Sequence, residues 1–189
     1  MKKLFLLTLA LFIVSSTLSC VSSIDRTIAQ IEADLPEAPS GDTTQATVTR
    51  VIDGDTIEVK ISGDLYRVRY IGIDTPERNQ SGYREANNTN SDLVMGRIVV
   101  LEKDVSEVDR YGRLLRYVWV DGYMVNAILV ATGYAHDAIY PPDTRYAEVF
   151  FHLEQYAKNE KLGLWAPNWK YLWFWKQRSD QGLHGSQGN

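Results

Sequence analysis

From Ala46 to Ile73 the chain is a run of short extended segments cut by turn residues, and this punctuation limits the fold more than any other feature. Between Thr56 and Ile61, Ile57, Val59 and Ile61 alternate with Thr56, Glu58 and Lys60, the period of a half-buried strand. Ala46 to Ile52 and Tyr66 to Ile73 read as flanking strands, joined through Asp53-Gly54-Asp55 and a hairpin turn at Gly63-Asp64. Arg97 to Glu102 and Leu114 to Val120 add two more, the second rich in β-branched and aromatic residues.

Helical signals come later. Tyr83 to Gly96 reads as a helix despite Asn87, Asn88 and Asn90, which are weak helix formers. Val125 to Thr132 is a compact apolar helix stopped by Gly133. Thr144 to Leu162 carries Ala147, Phe150, Leu153 and Ala157 at helical spacing and ends at Gly163; that stripe reads as core. The order, strands first and helices after, predicts one α+β domain, which a chain of 189 residues is long enough to fill.

The ends are different. Lys2 and Lys3 precede an apolar run from Leu4 to Val14 and small polar residues to Ser19, the order of a secretory signal. Residues 1–20 therefore read as a signal segment of lipoprotein type, with Cys20, the single cysteine, where a bacterial lipid anchor would be attached. Plain cleavage near this point and an uncleaved anchor are the alternatives, and all three send the domain out of the cytoplasm. Residues 21–45 form a polar linker, in which Ile24, Ile28, Ile31 and Leu35 allow a short amphipathic helix before Pro36. At the other end, residues 167–189 hold Trp169, Tyr171, Trp173, Phe174 and Trp175 among Lys170, Lys176 and Arg178, then a polar tail. Such a mixture stacks bases, meets a membrane interface or covers one side of a barrel.

A net charge of −4 argues against a protein that grips nucleic acid by bulk positive charge, so any phosphate binding must be local. One cysteine allows no internal disulfide, and His136, His152 and His184 lack metal-ligand spacing. The chemistry has to come from Asp55, Asp74 and Glu77 at the ends of two extended segments, with Arg69 inside the second. Clustered carboxylates suit a hard cation such as Ca²⁺, whereas a guanidinium suits a phosphate oxygen. Together they point to metal-assisted attack on a phosphodiester.

Each piece also has a plainer reading. Asp-Gly is a common turn, Pro76 alone explains the turn at Asp74-Thr75-Pro76-Glu77, and Asp109-Arg-Tyr-Gly-Arg113 reads equally as a surface hairpin. An EF-hand is excluded, because Glu58 stands where its loop needs glycine. If Arg67, Arg69, Ile71 and Ile73 share a strand face, Arg69 lies among apolar side chains and needs partners or a path to solvent.

Order and spacing decide between these readings. Ala46-Thr-Val-Thr-Arg-Val-Ile-Asp-Gly-Asp-Thr56, Arg69, Asp74-Thr-Pro-Glu77, Asp109-Arg-Tyr-Gly-Arg113, Asp121-Gly-Tyr-Met-Val-Asn126 and Glu160-Lys-Leu-Gly-Leu-Trp165 together resemble the staphylococcal nuclease (thermonuclease) family. The resemblance implies a five-stranded OB-type barrel with about three packed helices over residues 46–166. It implies Ca²⁺ held by Asp55, Asp74 and the Thr75 carbonyl, with Asp53 in support. Glu77 falls on the general base, Arg69 and Arg113 on the phosphate clamp, and Arg110 and Tyr111 on the nucleotide pocket. Tyr140 stands in the loop where the family stacks bases, which is one residue shorter here. The activity implied is hydrolysis of DNA and RNA to 3′-phosphate ends by an exported, secreted or membrane-anchored enzyme. The rival is a nuclease-like domain that binds nucleic acid or protein without cutting. Such domains usually lose site acids or arginines, and this chain keeps them all.

Overall fold

The structure, a computed structural model, describes residues 35–167. The signal segment, Cys20, the amphipathic stretch before Leu35 and the Trp-rich extension lie outside the described residues.

Five strands close into a barrel. They are β1 (Thr43–Asp53), β2 (Thr56–Ile61), β3 (Asp64–Tyr70), β5 (Ile98–Glu102) and β6 (Leu114–Val120). β1 pairs antiparallel with β2 and β5, β2 with β3, and β5 with β6; a parallel pairing of β3 with β6 completes the circuit. β1 spans two neighbours because its register shifts twice, between Val48 and Arg50 and between Val51 and Asp53, and such bulges bend a strand around a closed wall. Two short pairs complete the β structure: β4 (Ile73–Asp74) with β8 (His136–Asp137), and β7 (Tyr123–Met124) on β6. The helices are α1 (Tyr83–Val94), α2 (Val125–Ala131) and α3 (Ala147–Asn159), followed by a 3-10 turn at Gly163–Trp165. This is the expected α+β, OB-type barrel with three helices.

Thr56 departs from the alternation read in β2, being buried, and Ile61 is only half-buried, but Ile57 and Val59 follow it and are fully buried. With Val48, Val68, Tyr70, Val99 and Leu101 they fill the barrel, while Trp119, Leu129, Phe150 and Leu153 are buried with them in the core. The β2–β3 turn is centred one residue earlier than expected, on Ser62 and Gly63, both with positive φ, as a twisted two-residue hairpin needs.

The third strand departs from expectation in a way that matters for the site. It ends at Tyr70 rather than Ile73, because the chain turns at Gly72 with φ 76°. A Cβ on Gly72 would stand 2.6 Å from the Phe150 ring, so the turn is pressed against α3. Val68 and Tyr70 face the core, and Arg67 and Arg69 face outward. Ile71 and Ile73 are buried beyond the break, so Arg69 does not share a strand face with them.

The third helix is shorter than the expected span of 144–162. Lys161, with φ 56°, turns the chain just after it. Gly163 instead makes a close backbone contact. A Cβ there would lie 2.4 Å from the Gly133 carbonyl oxygen, to which the Leu164 N–H donates at 2.9 Å. The two glycine turns thus meet backbone to backbone.

Candidate active site

The site starts from a glycine. In Asp53-Gly54-Asp55 a Cβ on Gly54 would lie 2.7 Å from Thr75 Oγ1, so its absence lets the β1–β2 turn pack on the segment after β4. That contact buries Asp55, whose side chain is 4% exposed. Its Oδ2 accepts from the Thr75 backbone N–H and hydroxyl, both at 2.8 Å. Its Oδ1 accepts from Thr56 Oγ1 at 3.1 Å and pairs with Arg69. The same guanidinium donates to Asp74 Oδ1 at 2.6 Å and to the Ile73 carbonyl at 3.2 Å. Two acids far apart in the chain therefore converge on one cationic group.

Burial and charge explain this choice of partners. An outward, half-buried arginine is tolerable when carboxylates and a carbonyl take its N–H groups. Asp55 is enclosed and Asp74 is 54% exposed, so the pair has an inner wall and an open side. Asp53 braces the turn, with its Oδ1 accepting from the Asp55 N–H at 3.3 Å.

Glu77 follows three residues after Asp74. Its N–H donates to Gln80 Oε1 at 2.8 Å, and its carbonyl accepts from the Gln80 N–H at 2.7 Å. The turn is closed through the backbone, and among the described residues the Glu77 carboxylate has no hydrogen bond or ion pair.

Arg113 comes from a different element. Asp109 Oδ1 accepts from the N–H groups of Tyr111 and Arg113, and its Oδ2 takes the Arg113 guanidinium at 2.7 Å. Burial pushes the Asp109 carboxyl up, but the Arg113 backbone and side-chain N–H groups and that of Tyr111 outweigh it and hold the group below its ordinary value. Arg113 stands one residue before β6, in which Leu115 pairs with Arg69, and strand alternation carries Arg113 to that same face. Tyr111 is 68% exposed, with the Arg110 and Arg113 guanidiniums 4.8 and 5.5 Å from its ring centre. Tyr140, also exposed, lines a hollow with Arg69, Leu115 and Asp143.

Thus Asp55, Asp74, Thr75 and Arg69 form one bonded cluster, with Asp53 behind it and Tyr140 beside it. Arg113 and Tyr111 adjoin through the β3–β6 pairing without bonding to the acids.

Some supporting residues escape a reading of sequence. Asn90 is fully buried in α1, where it accepts from the Tyr70 hydroxyl at 2.8 Å and donates to the Asp53 carbonyl at 3.0 Å. Asn126 accepts from the Val118 N–H and donates to the Ile71 carbonyl, both at 2.9 Å. His136 faces Asp74 across the β4–β8 pair. The two asparagines use backbone partners far along the chain, and no local pattern marks those.

A hard cation fits this donor set. Asp55 and Asp74 supply carboxylate oxygens close enough to share a guanidinium, and Thr75, next to Asp74 in the chain, is bonded to Asp55, so its carbonyl would complete an all-oxygen set that suits Ca²⁺. Among the described residues no three His, Cys, Asp or Glu side chains gather around a metal position, so a bound cation would have to draw a third ligand from the main chain or water.

The profile of the family described as "Staphylococcal nuclease homologue" matches residues 67–167. The SPbeta prophage-derived endonuclease YokF of Bacillus subtilis is 42% identical over 130 residues, covering 65% of this chain and 44% of that protein. Endonuclease YncB of the same organism is 41% identical over 128 residues, covering 64% and 61%. The thermonuclease of Staphylococcus intermedius is 38% identical over 125 residues, covering 62% and 74%. The chain thus spans less than two thirds of the two Bacillus relatives and about three quarters of the thermonuclease. A profile matched over more than half of its residues, and that reach along a thermonuclease, place the chain in the staphylococcal nuclease family.

Proposed function

We propose that this protein is an exported, Ca²⁺-dependent nuclease that hydrolyses phosphodiester bonds in DNA and RNA and leaves 3′-phosphate ends. The observation that carries the reading is the convergence of Asp55 and Asp74 on Arg69, with the Glu77 carboxylate, three residues on, unpaired among the described residues. The endonuclease and thermonuclease names of the relatives support it.

Asp55, Asp74 and the Thr75 carbonyl are the residues to hold Ca²⁺, which when bound supplies positive charge to a phosphate oxygen and orients a water. Glu77 accepts the proton of the attacking water as its oxygen bonds to phosphorus. The bond from phosphorus to the 5′ oxygen breaks, and that oxygen takes a proton from solvent. Arg69 and Arg113 each hold carboxylates in the free protein, and on binding substrate they exchange them for phosphoryl oxygens of matching geometry. Fixed there, they meet the charge that builds in the transition state. Tyr140, Tyr111 and Arg110 line the approach and take the nucleotide. Export follows from the signal order of residues 1–20, with Cys20 as the anchor.

Cleavage of plasmid and RNA with Ca²⁺, set beside Arg113→Ala and Glu77→Gln, tests the reading. Loss of one such donor lowers turnover by about a hundredfold or more, with the folded circular-dichroism spectrum kept and only the modest loss of stability expected from breaking the Asp109 pair. An Arg113→Ala enzyme turning over at close to the wild-type rate would refute the role.

A further inference from the structure

The acidic balance of the chain leaves open how a long polyanion is held, and the outer face of β2 and β3 offers an answer. Arg67 lies two residues before Arg69 on the same outward face of β3 and is exposed. Its cross-strand neighbour is Glu58. That carboxylate is already engaged, with Arg50 at 3.5 Å and Thr49 Oγ1 at 3.1 Å. Lys60 is the next outward residue on β2 and pairs in register with Leu65, itself 60% exposed. Among the described residues neither the Arg67 nor the Lys60 side chain has a hydrogen bond or ion pair.

Two unpaired cations therefore lead away from Arg69 along one sheet face, with an exposed apolar side chain beside them. Arg69 and Arg67, two apart on β3, are separated by about 6.5 Å, comparable to the step between successive phosphates of a stretched single strand, and Lys60 lies two residues further along on the neighbouring strand, opposite Leu65. Extending the β3–β6 register by one residue sets Arg67 level with Arg113, so this row adjoins the proposed phosphate clamp.

We propose that this face is a phosphate track, on which Arg67 and then Lys60 take successive backbone phosphates of a single-stranded polynucleotide to one side of the scissile bond. The proposal rests on the nuclease reading for its substrate. It explains how an anionic protein holds a polyanion, with charge concentrated where the strand lies and not spread over the surface.

A length series of fluorescently labelled oligothymidylates tests the track, bound to the full chain carrying Glu77→Gln in Ca²⁺ so that substrate is held without being cut. Added Arg67→Ala should leave affinity for a dinucleotide unchanged and weaken longer oligomers by about tenfold. Added Lys60→Ala should act only one nucleotide further on. Each should make the slope of log affinity against log salt shallower by about 0.7, and Arg67→Lys should restore most of the loss. An equal deficit on the dinucleotide would overturn the track by putting Arg67 at the reacting centre, as would no deficit at any length. Absence of oligonucleotide binding to the parent protein would overturn it too. Binding that follows the track while the wild type cuts nothing would sink the nuclease reading alone.

Discussion

Glu102→Gln replaces one oxygen with an amide and should nonetheless cost several kcal/mol. Glu102 is fully buried at the end of β5, and both of its oxygens are in use. Oε1 accepts from the Ser40 and Gly41 N–H groups at 2.9 Å, from Arg145 at 2.7 Å and from the Tyr146 hydroxyl at 3.1 Å. Oε2 accepts from Trp119 Nε1 at 2.8 Å and is also 3.1 Å from the Tyr146 hydroxyl. An amide at the first position would meet three N–H donors, so glutamine must turn its NH₂ toward Trp119. There it faces a buried indole N–H with no acceptor, a loss of about 1–3 kcal/mol. The missing charge opposite Arg145, whose side chain is 29% exposed, adds about 1 kcal/mol after allowance for solvent screening. The sum is about 2–4 kcal/mol, or a fall of roughly 10 °C in Tm for a domain of this size.

Urea unfolding followed by circular dichroism should show the midpoint fall with an unchanged slope. Trp119→Phe removes the orphaned donor, so in that background Glu102→Gln should cost only about 1 kcal/mol. A cost below about 0.5 kcal/mol in the parent, or the same cost in both backgrounds, would refute the account of this hub.

Asp109 makes the second prediction. Its depressed carboxyl contributes stability that is present above the unfolded value of about 3.9 and lost as pH falls through the lower folded value. Asp109→Asn should therefore be less stable than the wild type at pH 7, and the gap should close below about pH 4, as measured by unfolding across pH. At the N-terminus, a lipid anchor expects palmitate incorporation in a bacterial host that Cys20→Ser abolishes; equal labelling of both would remove the anchor.

Much of the barrel is legible because its rules are local. The period of two in β2 and the glycines of the turns each depend on neighbours in sequence. The acids and arginines of the site are legible as a set, since Asp55, Asp74 and Arg69 make little sense singly and in the fold share one guanidinium between two carboxylates. What escapes is whatever depends on a distant partner. Glu102 looks like an ordinary strand-end acid until Ser40, Trp119 and Arg145 arrive from three other segments. The apolar alternation of Ile71 and Ile73 continues past the Gly72 turn, and so mimics a longer strand. Asn90 lowers the helical signal of α1 and yet ties that helix to Tyr70 and the Asp53 loop.

The most direct measurement follows a single-stranded oligonucleotide labelled at its 5′ end, incubated with wild-type protein in Ca²⁺ and again in excess chelator, with the product ends identified. Cleavage in Ca²⁺ to fragments bearing 3′-phosphates, stopped by chelator and restored by added Ca²⁺, is the expected result. Intact oligonucleotide in Ca²⁺, or cutting that continues at full rate in chelator, would contradict the assignment of Asp55, Asp74, Arg69 and Glu77 to one hydrolytic centre.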